Sequence, residues 1–435
     1  MRLFQKKKFC PRSVYVRFRT RYAVWIPFCL LLSLVSQERL AQTDQPLEGA
    51  LTNVRVQSAL RSIDAQQDSA AIFLSQIGGI VSPSGKEGDR ARVVAARMQA
   101  IGLQNVTVDT MPNVVGVIPG RSGKAVVFVS TLDDLATVAE HQKAAERPPY
   151  IDGTRVVGPG VNTSLVTAAM LTAAEAIIKS GLKPEHDLVF AAVAQEETGL
   201  VGMKHLYAAY KDRSIAFVDI LGDGQSISYG AIVIHWWKVV GVGPPGHTLG
   251  GGLPNVNQGL ARAVDRIFQL PDPVQYASQR TVINMAVLNS GAVFNHKPKT
   301  GWFSLDIRSM NPEIVVAIEE KVRTILTQVS SETSIALTME PFQLTPGGQI
   351  PGAKDSYLVK TSAAIARYLG IANPRISDLG SSNMNVSIAG GSPSIGIGGE
   401  RGGQRGLPDE WADRTVLMRT AKHVLLLAAT QGGAK

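Results

Sequence analysis

The chain has 435 residues, 45% of them hydrophobic, enough for two or three globular domains and incompatible with a disordered or fibrous protein. Its formal charge of +9 is local: residues 1–41 hold nine of the 44 Lys and Arg and one of the 35 Asp and Glu, leaving 35 basic against 34 acidic residues. That balance excludes a polybasic nucleic-acid surface on the body of the protein.

The basic start runs into an apolar stretch, Tyr22 to Val35, that is short of the roughly 20 residues a membrane span needs and reads as a signal peptide. The following segment, Ser36 to Pro46, lacks a clean small-x-small cleavage site, so an uncleaved N-terminal anchor is the alternative. Either reading makes the protein exported, periplasmic or extracellular. Cys10 and Cys29 both fall inside this segment, so the body has no disulfide framework, thiol nucleophile or Cys-ligated zinc.

From about Asn53 to Gly102 apolar residues recur at three- and four-residue spacing, predicting helices interrupted by a loop and cap at Ser84-Gly85-Lys86-Glu87. Short strands follow at Val106, Val114 and Ala125–Val129, the last running into Ser130-Thr131-Leu132-Asp133-Asp134. A glycine-rich turn, Gly158-Pro159-Gly160-Val161-Asn162-Thr163, opens a helix to Ser180. The apolar run Leu188–Val193 reads as a buried strand, then a helix reaches Tyr210 and a strand from Ile215 ends at Gly222-Asp223-Gly224. Alternation of this kind predicts an α/β domain with a mixed, largely parallel sheet flanked by helices.

Near Ser228 the rhythm changes. Strands at 231–242, 282–287, 302–308 and 335–339, with helices at 254–270 and 313–329, follow the order β-α-β-β-α-β of a ferredoxin-like α+β module. The chain then returns to α/β pattern. The expected organisation is 1–41 signal peptide or anchor, 50–227 with 345–435 one split α/β domain, and 228–344 an inserted domain.

Two adjacent carboxylates, Glu196 and Glu197, stand at the C-terminal end of the 188–193 strand, where α/β sheets place their chemistry. One could bind a divalent metal while the other acts as general base on its water; a solvated turn before a helix is the plainer reading. The split α/β domain, the Glu-Glu before Thr198-Gly199, Gly243-Pro-Pro-Gly-His247, Leu305-Asp-Ile-Arg308, Ser381-Ser-Asn-Met-Asn385, Gly402-Gly403 and Pro408-Asp-Glu-Trp411 together resemble the zinc metallopeptidase family of carboxypeptidase G, tripeptide aminopeptidase and acetylornithine deacetylase. The resemblance covers about residues 55–430 and implies a peptidase fold with an inserted dimerisation (lid) domain.

The resemblance also implies two zinc ions held by five side chains, with Glu196 as general base. Carried over position by position, Asp133 and Glu197 stand as metal ligands, whereas Thr131, Thr163, Leu221 and Gly406 replace expected ligands. Asp219 or Asp223, two residues to either side of Leu221, are the candidates for a substitute. In the inserted domain His247, Asn295 and Arg308 match residues that act on substrate, His247 and Asn295 across a dimer interface. Each also has a plainer reading: a loop histidine, a turn residue before Lys297-Pro298, and a strand arginine paired with Asp306. Trp236-Trp237 reads as packing.

With so few ligands left, the expected cofactor is none, or one weakly bound divalent metal. The leading expectation is therefore an exported metallopeptidase-family protein that has lost most of its di-zinc site, a weak or non-catalytic homologue binding a peptide or N-acyl amino acid. The alternative is a metal-dependent exopeptidase or amide hydrolase with a rebuilt site, using Asp133, Glu197 and Asp219 or Asp223 with manganese or magnesium, Glu196 as base and His247 stabilising the oxyanion. A third reading is an assembly role. The expected partner is a second copy of the chain, through the inserted domain, and no nucleic acid. Serine hydrolase chemistry is excluded by the lack of a Gly-x-Ser-x-Gly elbow.

Overall fold

The computed structural model describes residues 46–222, 226–270, 277–398 and 401–433. The segment read as a signal peptide or anchor, and Asp223, lie outside them.

An eight-stranded sheet forms the main layer. Its order is 104–108, 114–118, 187–193, 125–131, 214–219, 394–396, 226–228, 375–377. The central strands 187–193, 125–131, 214–219 and 394–396 pair in parallel, and the antiparallel pairs lie toward the margins. All of Ala125–Thr131 is buried, as a central parallel strand must be when helices cover both faces. Period-two geometry splits its side chains: Val126 and Phe128 join one core cluster, Val127 and Val129 the other.

Helix Val161–Ser180 is the spine of the larger cluster, packed against Val54–Ala65, Gln67–Gly78 and Arg414–Gln431. It is apolar all round because neighbours surround it. It is long and apolar enough to cross a membrane, but 94% of its apolar window is buried inside the protein. Thr163, read as part of the preceding turn, lies in its first turn.

The 233–345 region is an antiparallel sheet in the order 282–284, 300–309, 233–242, 336–345, with helices Val256–Phe268 and Pro312–Thr333 sharing its own apolar core. This is the ferredoxin-like arrangement. The strand expected at 282–287 is broken: Val282–Asn284 and Leu288–Ser290 pair separately with 300–309. Between them the Ser304 hydroxyl accepts the N–H groups of Ala286 and Val287, taking the place of ladder bonds. A bulge at Phe342 leaves that residue 74% exposed and re-aims its neighbour Gln343.

A second small sheet was invisible in the sequence. Strands 150–152, 155–157, 402–403 and 411–413 pair antiparallel and tie the 158–163 turn to the 401–413 segment. Runs of two or three residues carry no periodicity to read.

Candidate functional site

The Glu196-Glu197 turn is built on a strained start. Gln195 has φ 55°, and its N–H donates to Glu87 Oε1 at 3.0 Å. Asn113 clamps the same turn from the far side, accepting the Ala194 N–H and donating to the Gly202 carbonyl. Gly202 is required there, because a Cβ would lie 2.3 Å from Asn113 Oδ1 and 2.4 Å from the Ala194 carbonyl oxygen.

Asp133 is the anchor beneath the pair. Its Oδ1 accepts from Thr131 Oγ1 at 2.7 Å and from the Glu196 N–H at 3.0 Å. Its Oδ2 accepts from the Glu197 N–H at 3.0 Å and from the Ser84 hydroxyl. Two carboxylate oxygens offer about four lone-pair sites, and all are in use. Read from the sequence as a metal ligand, Asp133 instead orders the turn, and Thr131 helps to hold it there.

Asp219 is engaged in the same way. Its Oδ2 accepts from Ser382 Oγ at 2.5 Å and the Met384 N–H at 3.0 Å, and its Oδ1 from the Leu221 N–H at 3.1 Å. It thereby caps the short helix Met384–Ala389. Glu410, from the Pro408-Asp-Glu-Trp411 motif, accepts the N–H groups of Gly160 and Asn162 with one oxygen and that of Gly406 with the other. It fixes the N-terminus of the helix carrying Thr163 and the Gly406 loop at once.

Glu196 and Glu197 open into a cavity of about 470 Å³ under the inserted sheet, lined also by Leu221, Trp236, Arg308, Arg401 and Arg405. Burial, then Glu197, Asp133 and Asp219, push the Glu196 carboxyl well above the usual carboxylate range, opposed by Arg401. Burial and Asp133 raise Glu197, opposed by Arg405 and Arg401. Burial and the nearby Arg405 pull Arg401 down to about 10.

Arg308 reaches the cavity while held by Asp306, Nη2 to Oδ2 at 2.8 Å. Trp237 packs in the inserted core and donates to Glu319, but Trp236, on the opposite face of the strand, lines the cavity rather than serving only as packing. His247 and Asn295 are elsewhere: they contact each other at 3.2 Å beside the paired strands 246–247 and 296–297 and do not line this cavity. Within one chain, His247 is not placed to stabilise an oxyanion beside Glu196.

Residues 137–430 match the model of peptidase family M20/M25/M40. The chain belongs to this family. Aminopeptidase PepT from Bacillus cereus superposes with a TM-score of 0.69 at 18% identity, over 84% of this chain and 98% of that one. A tripeptidase from Staphylococcus aureus gives a TM-score of 0.69 at 19% identity, over 83% and 97%. A Bacillus subtilis protein described as a dinuclear metal-binding peptidase of family M20 gives 0.63 at 13%, over 85% and 99%. No curated protein sequence matches. The shared fold is that of the M20 peptidases, a catalytic domain with an inserted domain.

The donor set of this M20 chain does not fit a dinuclear centre. Among the described residues no group of three or more His, Cys, Asp and Glu is placed to hold a metal ion. Asp133 accepts four protein donors and Asp219 three, Leu221 presents hydrocarbon to the cavity, and Gly406 brings no side chain. A bridged pair of ions needs a shared carboxylate, and the Thr163 position supplies a hydroxyl. Sequence reasoning missed Ser84, Ser382, Arg401 and Arg405. The arginines left one signal, two cations within five residues of the expected histidine at Gly406.

Proposed function

We propose that this member of the M20 family binds a peptide-like ligand in the Glu196-Glu197 cavity and does not hydrolyse it through a dinuclear metal centre. The saturation of Asp133 by four protein donors carries this reading, since it leaves Glu196 as a base without a metal-bound water to act on. The rebuilt-site alternative needs Asp133, Glu197 and Asp219 or Asp223 as ligands; Asp133 and Asp219 are engaged by the turns they hold, and Asp223 lies outside the described residues.

The N-terminal sequence supports export, and the paired segments carrying His247 and Asn295, which do not line their own chain's cavity, support a homodimer in which they serve the other copy. The test is an incubation of the purified protein with di- and tripeptides, with and without zinc or manganese. No turnover above the peptide alone is expected, and Glu196→Gln is expected to change nothing. Metal-dependent cleavage abolished by Glu196→Gln would contradict the reading.

A further inference from the structure

Arg401 and Arg405 bracket the strand Gly402–Gly403, whose pairing with Trp411–Asp413 pins the loop from which both side chains enter the cavity. Arg401 Nη1 is buried and has no hydrogen-bond partner among the described residues. Buried guanidinium N–H groups are ordinarily paired, and an orphaned one costs stability until an acceptor arrives. The Arg401 side chain lines the cavity, so an acceptor bound there meets its guanidinium group. Arg308, on the inserted domain, lines the same space but gives Nε and Nη2 to Asp306, whereas among the described residues no carboxylate is bonded to Arg401 or Arg405.

The loop also lies where the family resemblance expects a histidine ligand. Positive charge is thus retained beside Glu196 and Glu197, but as planar guanidinium forks rather than as a coordination site. Guanidinium groups pair with carboxylates through parallel N–H···O bonds, a geometry that a metal ligand set does not offer. We infer that Arg401 and Arg405 form a carboxylate receptor in place of the family's metal pair, and that they hold the terminal carboxylate of a small peptide in the cavity. The inference rests on the ligand-binding reading above and names the group on the ligand that is recognised.

Isothermal titration of the full chain in chelator tests it, with alanyl-alanine and alanyl-alanine amide as probes. The acid is expected to bind at least about tenfold more tightly than the amide. Arg405→Gln and Arg401→Gln are each expected to erase most of that preference, and Arg401→Lys to keep part of it. If Arg401→Gln does not fold by circular dichroism, Arg405→Gln and Arg401→Lys decide. Equal affinity for acid and amide, or a preference untouched by these substitutions, would overturn the arginine receptor and leave the ligand-binding reading standing. Binding of the dipeptide only after zinc is added, or binding of neither probe under either condition, would overturn both.

Discussion

Replacing Asp133 by alanine is expected to lower stability by about 3–5 kcal/mol, by the same amount in chelator as in added zinc. Asp133 is 0% exposed and receives two hydroxyl and two backbone N–H donors. Its removal leaves three part-buried donors without that acceptor and the buried Thr131 hydroxyl with only a long contact to the Val193 carbonyl. A fully buried orphan costs about 1–3 kcal/mol before relaxation and water entry reduce the sum. A metal ligand would behave differently, because its loss would matter chiefly when the metal is present. Urea denaturation in the two conditions makes the comparison. A loss below about 1 kcal/mol, or one seen only with zinc, would mean that Asp133 does not anchor the turn.

Arg90→Met is expected to cost a similar amount, about 3–5 kcal/mol, for a different physical reason. Arg90 is 1% exposed and donates to the Leu132 carbonyl at 2.8 Å, the Ile80 carbonyl at 2.7 Å and Asp134 Oδ2 at 2.6 Å. It ties helix Gly88–Ala100 to the strand end that carries Thr131 and Asp133. Without it Asp134 is left as a buried carboxylate supported, among the described residues, only by the Gln142 amide. Burial already raises the Asp134 carboxyl above its ordinary value and Arg90 opposes that rise, so the variant's carboxyl moves higher still. A carboxyl raised in the folded state favours folding while protonated, and that contribution is lost as pH rises through the folded value. The deficit of Arg90→Met is therefore expected to be smallest near the ordinary carboxylate range and to grow toward neutral pH. Adding Asp134→Leu is expected to recover much of the loss, by removing the unpaired charge. A deficit independent of pH would place the effect in packing.

Much of this architecture was legible because it rests on periodicity. The buried runs around Val126 and Val189, the long helix after Gly160 and the β-α-β-β-α-β order of the inserted region all declare themselves by spacing. So does the position of Glu196 and Glu197 at a strand end. The chemistry of the site was less legible, because a carboxylate in a ligand position looks the same whether its lone pairs are free or taken. Asp133 shows this. Its donors come from Thr131 beside it, from Ser84 on a distant loop and from two backbone N–H groups, and only the folded chain brings them together. Trp236 and Trp237 show the converse: adjacent residues of one type face opposite ways, one into the inserted core and one into the cavity. Arg401 and Arg405 stayed hidden because the strands that fix their loop are too short to have a pattern.

The central claim is that this M20 scaffold holds charge in its cavity through side chains and not through a metal pair. Mass spectrometric metal analysis tests it most directly, on protein purified without chelator and then offered zinc, manganese and cobalt in turn. The account predicts less than about one retained ion per chain for every metal, whereas about two per chain would contradict it and restore a dinuclear peptidase.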